Sequence, residues 1–286
     1  MIKVLVTGAS GQLGKELTQI FSKGRIQLIP VSRNHLDVTN YSNVKSYIIA
    51  NKPDWVVNCA AYTNVDRAEK NKVESTKINT LGPQILANIC ELTGSKLLHI
   101  STDSVFSSDL PILFNANDST NPINQYSLSK SHGEQLIIKI YETSSWVIRT
   151  SWLYGAHGGK FVYNILENIK LGNSFDVVDD QFGQPTYTKN LAMYIKDFIL
   201  QVPNPGIYHF TDSGYASRFD LASEIVKQFK IKNISIKNIK TKVNPDIAIR
   251  PKYCLLTTTN DLYNSSIEPM LWKESIKIFL RSEWRV

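Results

Sequence analysis

The chain has 286 residues, 42% hydrophobic and 20% charged, which is ordinary globular usage and excludes a collagen-like or disordered protein. That length accommodates two domains, or one large α/β unit with an appended lobe. Thirty-two Lys and Arg against 25 Asp and Glu leave a charge of +7, suited to an anionic small molecule and modest for a nucleic-acid partner.

From the amino terminus, Met1-Ile2-Lys3 leads directly into the strand-like Val4-Leu5-Val6. No run reaches the ~18 apolar residues of a membrane span. A cytoplasmic protein without leader, membrane or nucleic-acid partner is expected. Short apolar runs at Ile2 to Thr7, Ile26 to Val31, Asp54 to Cys59, Lys96 to Ser101 and Ser145 to Arg149 read as buried strands. Between them, Leu13 to Phe21, Val44 to Ile49 and Ile78 to Leu92 are amphipathic at helical spacing. Strand and helix in alternation predict an α/β fold, a doubly wound parallel sheet with helices on both faces and ligands at the carboxyl ends of its strands. Beyond Gly155 the alternation loosens around turns such as Gly158-Gly159 and Pro203-Asn204-Pro205-Gly206. Residues 1–152 are expected to form a Rossmann-type nucleotide domain and 153–286 mainly a smaller substrate lobe, with later segments able to return to the sheet. Cys59, Cys90 and Cys254 are few, odd in number and far apart, so they are expected as reduced core residues rather than a disulfide or metal framework. The basic stretch Lys227 to Lys252 is read as a solvated face, because aromatic residues do not interleave it.

The first strand runs into Gly8-Ala9-Ser10-Gly11-Gln12-Leu13-Gly14, which opens a helix. Glycines at these three places allow a tight turn, close approach of a pyrophosphate, and close helix-strand packing, with free amides facing the phosphates. The second strand ends at Val31-Ser32-Arg33. An acid there would hold the ribose diol of NAD, whereas Arg33 suits the 2′-phosphate of NADP. NADPH is the expected cofactor, with NADH as the alternative. Asp37 and Val38 are expected beside the adenine, and Ala60, Ala61 and Tyr62 beside the rest of the cofactor.

After the fourth strand comes Ser101-Thr102-Asp103, and a later helix begins near Tyr126-Ser127-Leu128-Ser129-Lys130. A Tyr and a Lys four apart share one helical face, so the ammonium can act on the phenol and also reach a ribose. With Thr102 from a strand end, they predict a proton-transfer site for carbonyl reduction. A second match of the same spacing, Tyr41 and Lys45, has no such hydroxyl partner.

These residues resemble the extended short-chain dehydrogenase/reductase family, and in particular its nucleotide-sugar reductases. Ala60-Ala61-Tyr62-Thr63, Ser101-Thr102-Asp103 with Val105-Phe106, Arg149-Thr150-Ser151-Trp152, Asp180-Gln181-Phe182-Gly183 and Arg250-Pro251 carry the finer likeness, across nearly the whole chain. The resemblance implies hydride transfer from NADPH to the C4 ketone of a dTDP-linked 4-dehydro-6-deoxy-L-hexose, giving a sugar for cell-surface polysaccharide. It makes Tyr126 the proton donor, Thr102 a hydrogen-bond partner of the same oxygen, and Lys130 the holder of the nicotinamide ribose. Trp152 becomes a wall of the sugar pocket, with Asp103, Ser104, Lys160, Gln181 and Arg250 among the substrate contacts.

Three departures fall in this pocket: Ser104 for the usual tyrosine, Lys160 for an asparagine, and Arg218 where a tryptophan is common. They leave open a different epimer or product configuration. Two other classes compete. A dehydratase or epimerase on the same fold would need a Glu after Thr102-Asp103, where Ser104 stands. A non-catalytic, cofactor-gated binding protein is disfavoured by the intact Thr102, Tyr126 and Lys130. Some relatives pair through a metal held by glutamates. Glu16 matches one such position, but Lys189 stands where another acid belongs, so a monomer or a homodimer without a bridging metal is expected.

Overall fold

The computed structural model describes residues 1–22, 24–229, 234–242, 244, 246–258 and 265–284. The basic stretch from Lys227 to Lys252 therefore lies partly outside the described residues. Counting the strands of the central sheet and the helices of eight residues or more, the strands are β1 (Ile2–Thr7), β2 (Ile26–Val31), β3 (Trp55–Asn58), β4 (Lys96–Thr102), β5 (Ser145–Thr150) and β6 (Gly206–His209). The helices are α1 (Gln12–Phe21), α2 (Tyr41–Asn51), α3 (Gly82–Thr93), α4 (Gln125–Ile140), α5 (Lys160–Leu171), α6 (Thr188–Gln201), α7 (Arg218–Gln228) and α8 (Trp272–Trp284).

The sheet is parallel throughout and runs β6-β5-β4-β3-β1-β2. Chain order reverses between β1 and β3, which opens a crevice at their carboxyl ends. Both faces are covered, which is why these strands are continuous apolar runs. On one face α1 and α6 pack through Leu13, Leu17, Phe21, Leu191, Ile195 and Phe198 over Val4, Val57 and Trp146. On the other, α2, α3 and α4 bury Val44, Ile48, Leu86, Ile89 and Ile137 against Leu5, Val56, Leu97 and Val147. β6 pairs with β5 from Gly206↔Trp146 to His209↔Arg149. Thus α6 and β6, although they follow residue 152, complete the amino-terminal sheet and its helical cover.

The remaining carboxyl-terminal elements form a second core of α5, α7 and α8 around Tyr154, Ile165, Leu221, Ile225, Ile276 and Phe279. The two cores are tied at the site, where Gln12 Nε2 donates to Thr188 Oγ1 at 2.5 Å and Thr188 Oγ1 donates to the Tyr154 carbonyl at 2.8 Å. One departure from the expected helix is local: Lys77–Leu81, the start of the run read as one helix, forms a π-helical turn before α3. Asn79 uses this turn to accept from the Tyr62 amide at 2.8 Å. The three cysteines are free thiols, with Cys90 and Cys254 buried and Cys59 half-buried.

Candidate active site

A cavity of about 720 Å³ opens along the carboxyl ends of β1, β3, β4 and β5. At one end lies the glycine loop. Gly8 has φ +63°, and a Cβ there would stand 2.7 Å from the Ala60 nitrogen, so both conformation and space require glycine. The Gly11 amide donates back to the Gly8 carbonyl at 2.9 Å. Gly11 also caps α1 without a side-chain hydrogen bond, which leaves the amides at the start of α1 for an incoming group. A cradle of bare backbone at a helix start fits a pyrophosphate. Gly8, Gly11, Gln12, Leu13, Gly14, Asp37, Val38, Ala60 and Ala61 all line the cavity.

Arg33 lines it too, but its guanidinium is shared with Glu74 at 3.3 Å and Asp37 at 4.0 Å on a largely exposed surface. Tyr62 lies off the cavity wall, its hydroxyl accepting from Asn71 at 3.3 Å. Tyr41 opens α2 and is exposed, so the second Tyr-Lys pair does not reach the cavity.

The reacting end is built by β4, its following turn and α4. Asn124 caps α4 by accepting from the Ser127 amide at 2.9 Å, which puts Tyr126 in the first helical turn. Tyr126, Lys130 and Thr102 then line one wall together. Burial pushes the Tyr126 phenol up to about 12, against the hydrogen bond to Thr102 and helped by the charges of Asp103 and Glu134. Burial pulls the Lys130 ammonium down to about 8, against Glu134 and Cys59. Lys130 Nζ donates to the Ile100 carbonyl at 2.6 Å and lies 3.0 Å from His99 Nε2. The Thr102 hydroxyl donates to Asp103 Oδ1 at 3.0 Å, and Ser104 stands behind it with its hydroxyl 3.1 Å away. Asp103 also accepts from Ser151 Oγ at 2.5 Å, and burial raises its carboxyl to about 6 despite these bonds.

Three supporting groups escaped the sequence reading. Glu134 continues the face of Tyr126 and Lys130 by one more turn and forms a buried ion pair with Arg149 at 2.7 Å, fixing α4 to β5. The signal was its spacing. His99 and Asn58 are polar residues inside otherwise apolar buried strands, and their contact could be found only from the strand register.

The substrate side is less compact than expected. Trp152 lines the cavity with φ +40°, and its ring lies against Gly183, leaving no room for a side chain there. Over the Trp152 ring sits the Arg218 guanidinium, 3.4 Å from the ring centroid and 4.8 Å from that of Phe161. Lys160 opens α5 and lines the same cavity. Of the other expected substrate contacts, Asp103 and Ser104 stand behind Thr102 rather than on the cavity wall, and Gln181 and Arg250 lie farther off. Gln181 Nε2 donates to Thr241 at 3.0 Å, and Arg250 pairs with Asp66 at 2.8 Å and donates to the Ala248 carbonyl. Each is drawn away by a partner from a distant segment. Glu16 is buried on α1, and burial raises its carboxyl against the nearby charges of His157 and Lys189, with Glu283 adding to the rise. Among the described residues no group of three His, Cys, Asp or Glu is placed to hold a metal ion.

Residues 2–284 match the family model of the RmlD substrate binding domain. The chain is 34% identical to a dTDP-4-dehydrorhamnose reductase of Aggregatibacter actinomycetemcomitans, over 97% of this chain and 98% of that protein. It is also 34% identical to the spore coat polysaccharide biosynthesis protein SpsK of Bacillus subtilis, over 98% of both. A crystal structure of the dTDP-4-dehydrorhamnose reductase of Bacillus anthracis in complex with NADP superimposes with a TM-score of 0.91, at 33% identity over 99% of both chains. The protein belongs to the RmlD family, that of the dTDP-4-dehydrorhamnose reductases.

Proposed function

We propose that this protein reduces the C4 ketone of a dTDP-linked 4-dehydro-6-deoxy-L-hexose with NADPH, giving dTDP-L-rhamnose for cell-surface polysaccharide. The observation that carries the reading is the convergence of Thr102, Tyr126 and Lys130 on the cavity that also holds the glycine loop. NADPH supplies the hydride. In this reading the backbone of Gly8 to Gly14 holds the pyrophosphate and Arg33 the 2′-phosphate, once its guanidinium turns from Glu74. Ala60 and Ala61 give the cofactor a flat wall.

Tyr126 is a protonated phenol at any ordinary pH, because burial disfavours the phenolate. It therefore serves as the acid that protonates the developing C4 alkoxide. Thr102 turns its hydroxyl from Asp103 to the same oxygen, while Lys130 binds the nicotinamide ribose. Trp152, with Arg218 over its ring, forms the sugar wall, and Lys160 and Arg218 supply cationic groups for the diphosphate. A preference for another C4 configuration is a second reading, favoured by Arg218 occupying the Trp152 ring face that a sugar would otherwise cover.

NADPH oxidation measured across dTDP-4-keto-6-deoxy sugars, with product configuration assigned by NMR, tests both. Turnover giving the L-rhamnose product supports the first reading and eliminates the second. Redox-neutral conversion, or no turnover with any nucleotide sugar, defeats the reductase assignment.

A further inference from the structure

The reaction centre contains a buried histidine to which the proposed chemistry gives no task. Thr7, Asn58 and His99 occupy one register row across β1, β3 and β4, so their side chains leave the same face of the sheet. All three are fully buried. The Thr7 hydroxyl donates to Asn58 Oδ1 at 2.7 Å, and the Ala60 amide donates to the same oxygen at 3.1 Å. A backbone N–H can only donate, which fixes the Asn58 amide with Nδ2 towards His99. Asn58 Nδ2 therefore donates to His99 Nδ1 at 2.9 Å. With Nδ1 accepting, the proton of a neutral ring stands on Nε2, 3.0 Å from Lys130 Nζ. An ammonium has no lone pair for that N–H, whereas an amine accepts it and still donates to the Ile100 carbonyl at 2.6 Å.

Accommodating the ammonium would move the ring proton to Nδ1, opposite the Asn58 NH₂. Turning Asn58 over to relieve that contact would set its NH₂ against the Ala60 amide. Either arrangement leaves two buried donors facing one another. His99 itself stays neutral, since burial alone already holds it below the usual range. The other charged or titratable groups around Lys130 are Glu134 one turn along α4, paired with Arg149 of β5, Tyr126 one turn back, Cys59 after β3, and Asp103 after β4. Glu134 and Cys59 favour the ammonium, and burial opposes it.

We propose that His99, its tautomer fixed by Asn58, is a positioning residue that presents an N–H to Lys130 and favours the amine over the ammonium in the cofactor-free enzyme. The catalytic consequence rests on the reading of Lys130 given above: a lowered midpoint weakens the pull of the ammonium on the Tyr126 proton. The tautomer itself is independent of that reading.

Nitrogen-15 NMR of the histidine rings, on the full chain without cofactor, is expected to show His99 protonated at Nε2 and bare at Nδ1. A proton on Nδ1 overturns the proposal. His99→Gln offers Lys130 a carbonyl oxygen, and should raise the Lys130 titration midpoint, read at its Cε carbon, by about one pH unit or more. The limb of kcat/KM that reports Lys130 should move up with it. A folded variant with an unmoved midpoint overturns the proposal, because a merely structural histidine would lower activity without shifting either. Asn58→Asp turns the Nδ1 partner into an acceptor and should move the midpoint in the same direction, should His99→Gln not fold. If the wild-type protein reduces no dTDP sugar, the functional reading fails while the NMR measurements still decide the role of His99.

Discussion

The end of the cavity proposed to hold phosphate and the end proposed to hold sugar are built from different material. The first is main chain: a glycine turn and a helix start, fixed by residues within a few positions of one another, closed by the backbone of two alanines after β3. The second is side chain: Trp152 after β5 and Lys160 at the start of α5 line it, and Arg218 from the start of α7 lies over the Trp152 ring and near Phe161. A backbone cradle admits almost no change. A stack of side chains can be altered one residue at a time.

The comparison can be broken by substitution. Tyr126→Phe removes only the proton donor and should lower turnover ~10²-fold or more with NADPH binding intact, measured by steady-state kinetics beside fluorescence titration. Unchanged turnover would falsify the proposed acid. Gly8→Ala puts a Cβ against the Ala60 nitrogen at a φ of +63°. It should cost about 1–3 kcal/mol of stability, seen as a lower Tm, and weaken NADPH at least tenfold; wild-type affinity would show that the cradle tolerates more than its geometry indicates. Arg218→Ala removes the cation from the Trp152 ring and, if that ring is the proposed sugar wall, should raise KM for the nucleotide sugar about 3–10-fold, the cofactor Kd staying unchanged. A change in cofactor affinity instead would mean that the two ends are not separable. The smallest effect is expected from Arg33→Ala, because Arg33 gives up Glu74 and Asp37 to reach a phosphate. NADPH should weaken a few-fold relative to NADH; equal weakening of both places Arg33 away from the 2′-phosphate.

The same division governs what the sequence discloses. The strands at Ile2 and Ile26 begin and end where their apolar runs do, the single interior polar positions Lys3 and Gln27 being too few to blur the boundary. The glycine loop and the Tyr126-Lys130 face are likewise local patterns. The π-helical turn at 77–81 was hidden, since one extra residue hardly disturbs helical periodicity. Gln181 and Arg250 could not be placed, as their partners Thr241 and Asp66 lie 60 and 184 residues away. His99 needed the pairing of three strands before its row with Thr7 and Asn58 became visible.

The return of β6 to the sheet has a consequence for biosynthesis. Until residue 209 has left the ribosome, β5 is a bare apolar edge, and the face of α1 that meets Leu191, Ile195 and Phe198 has no cover. A nascent chain halted after residue 152 would carry both hazards at once, an unpaired parallel edge and an open hydrophobic face. The nucleotide end therefore cannot complete its sheet and helical cover until the chain through residue 209 has been made.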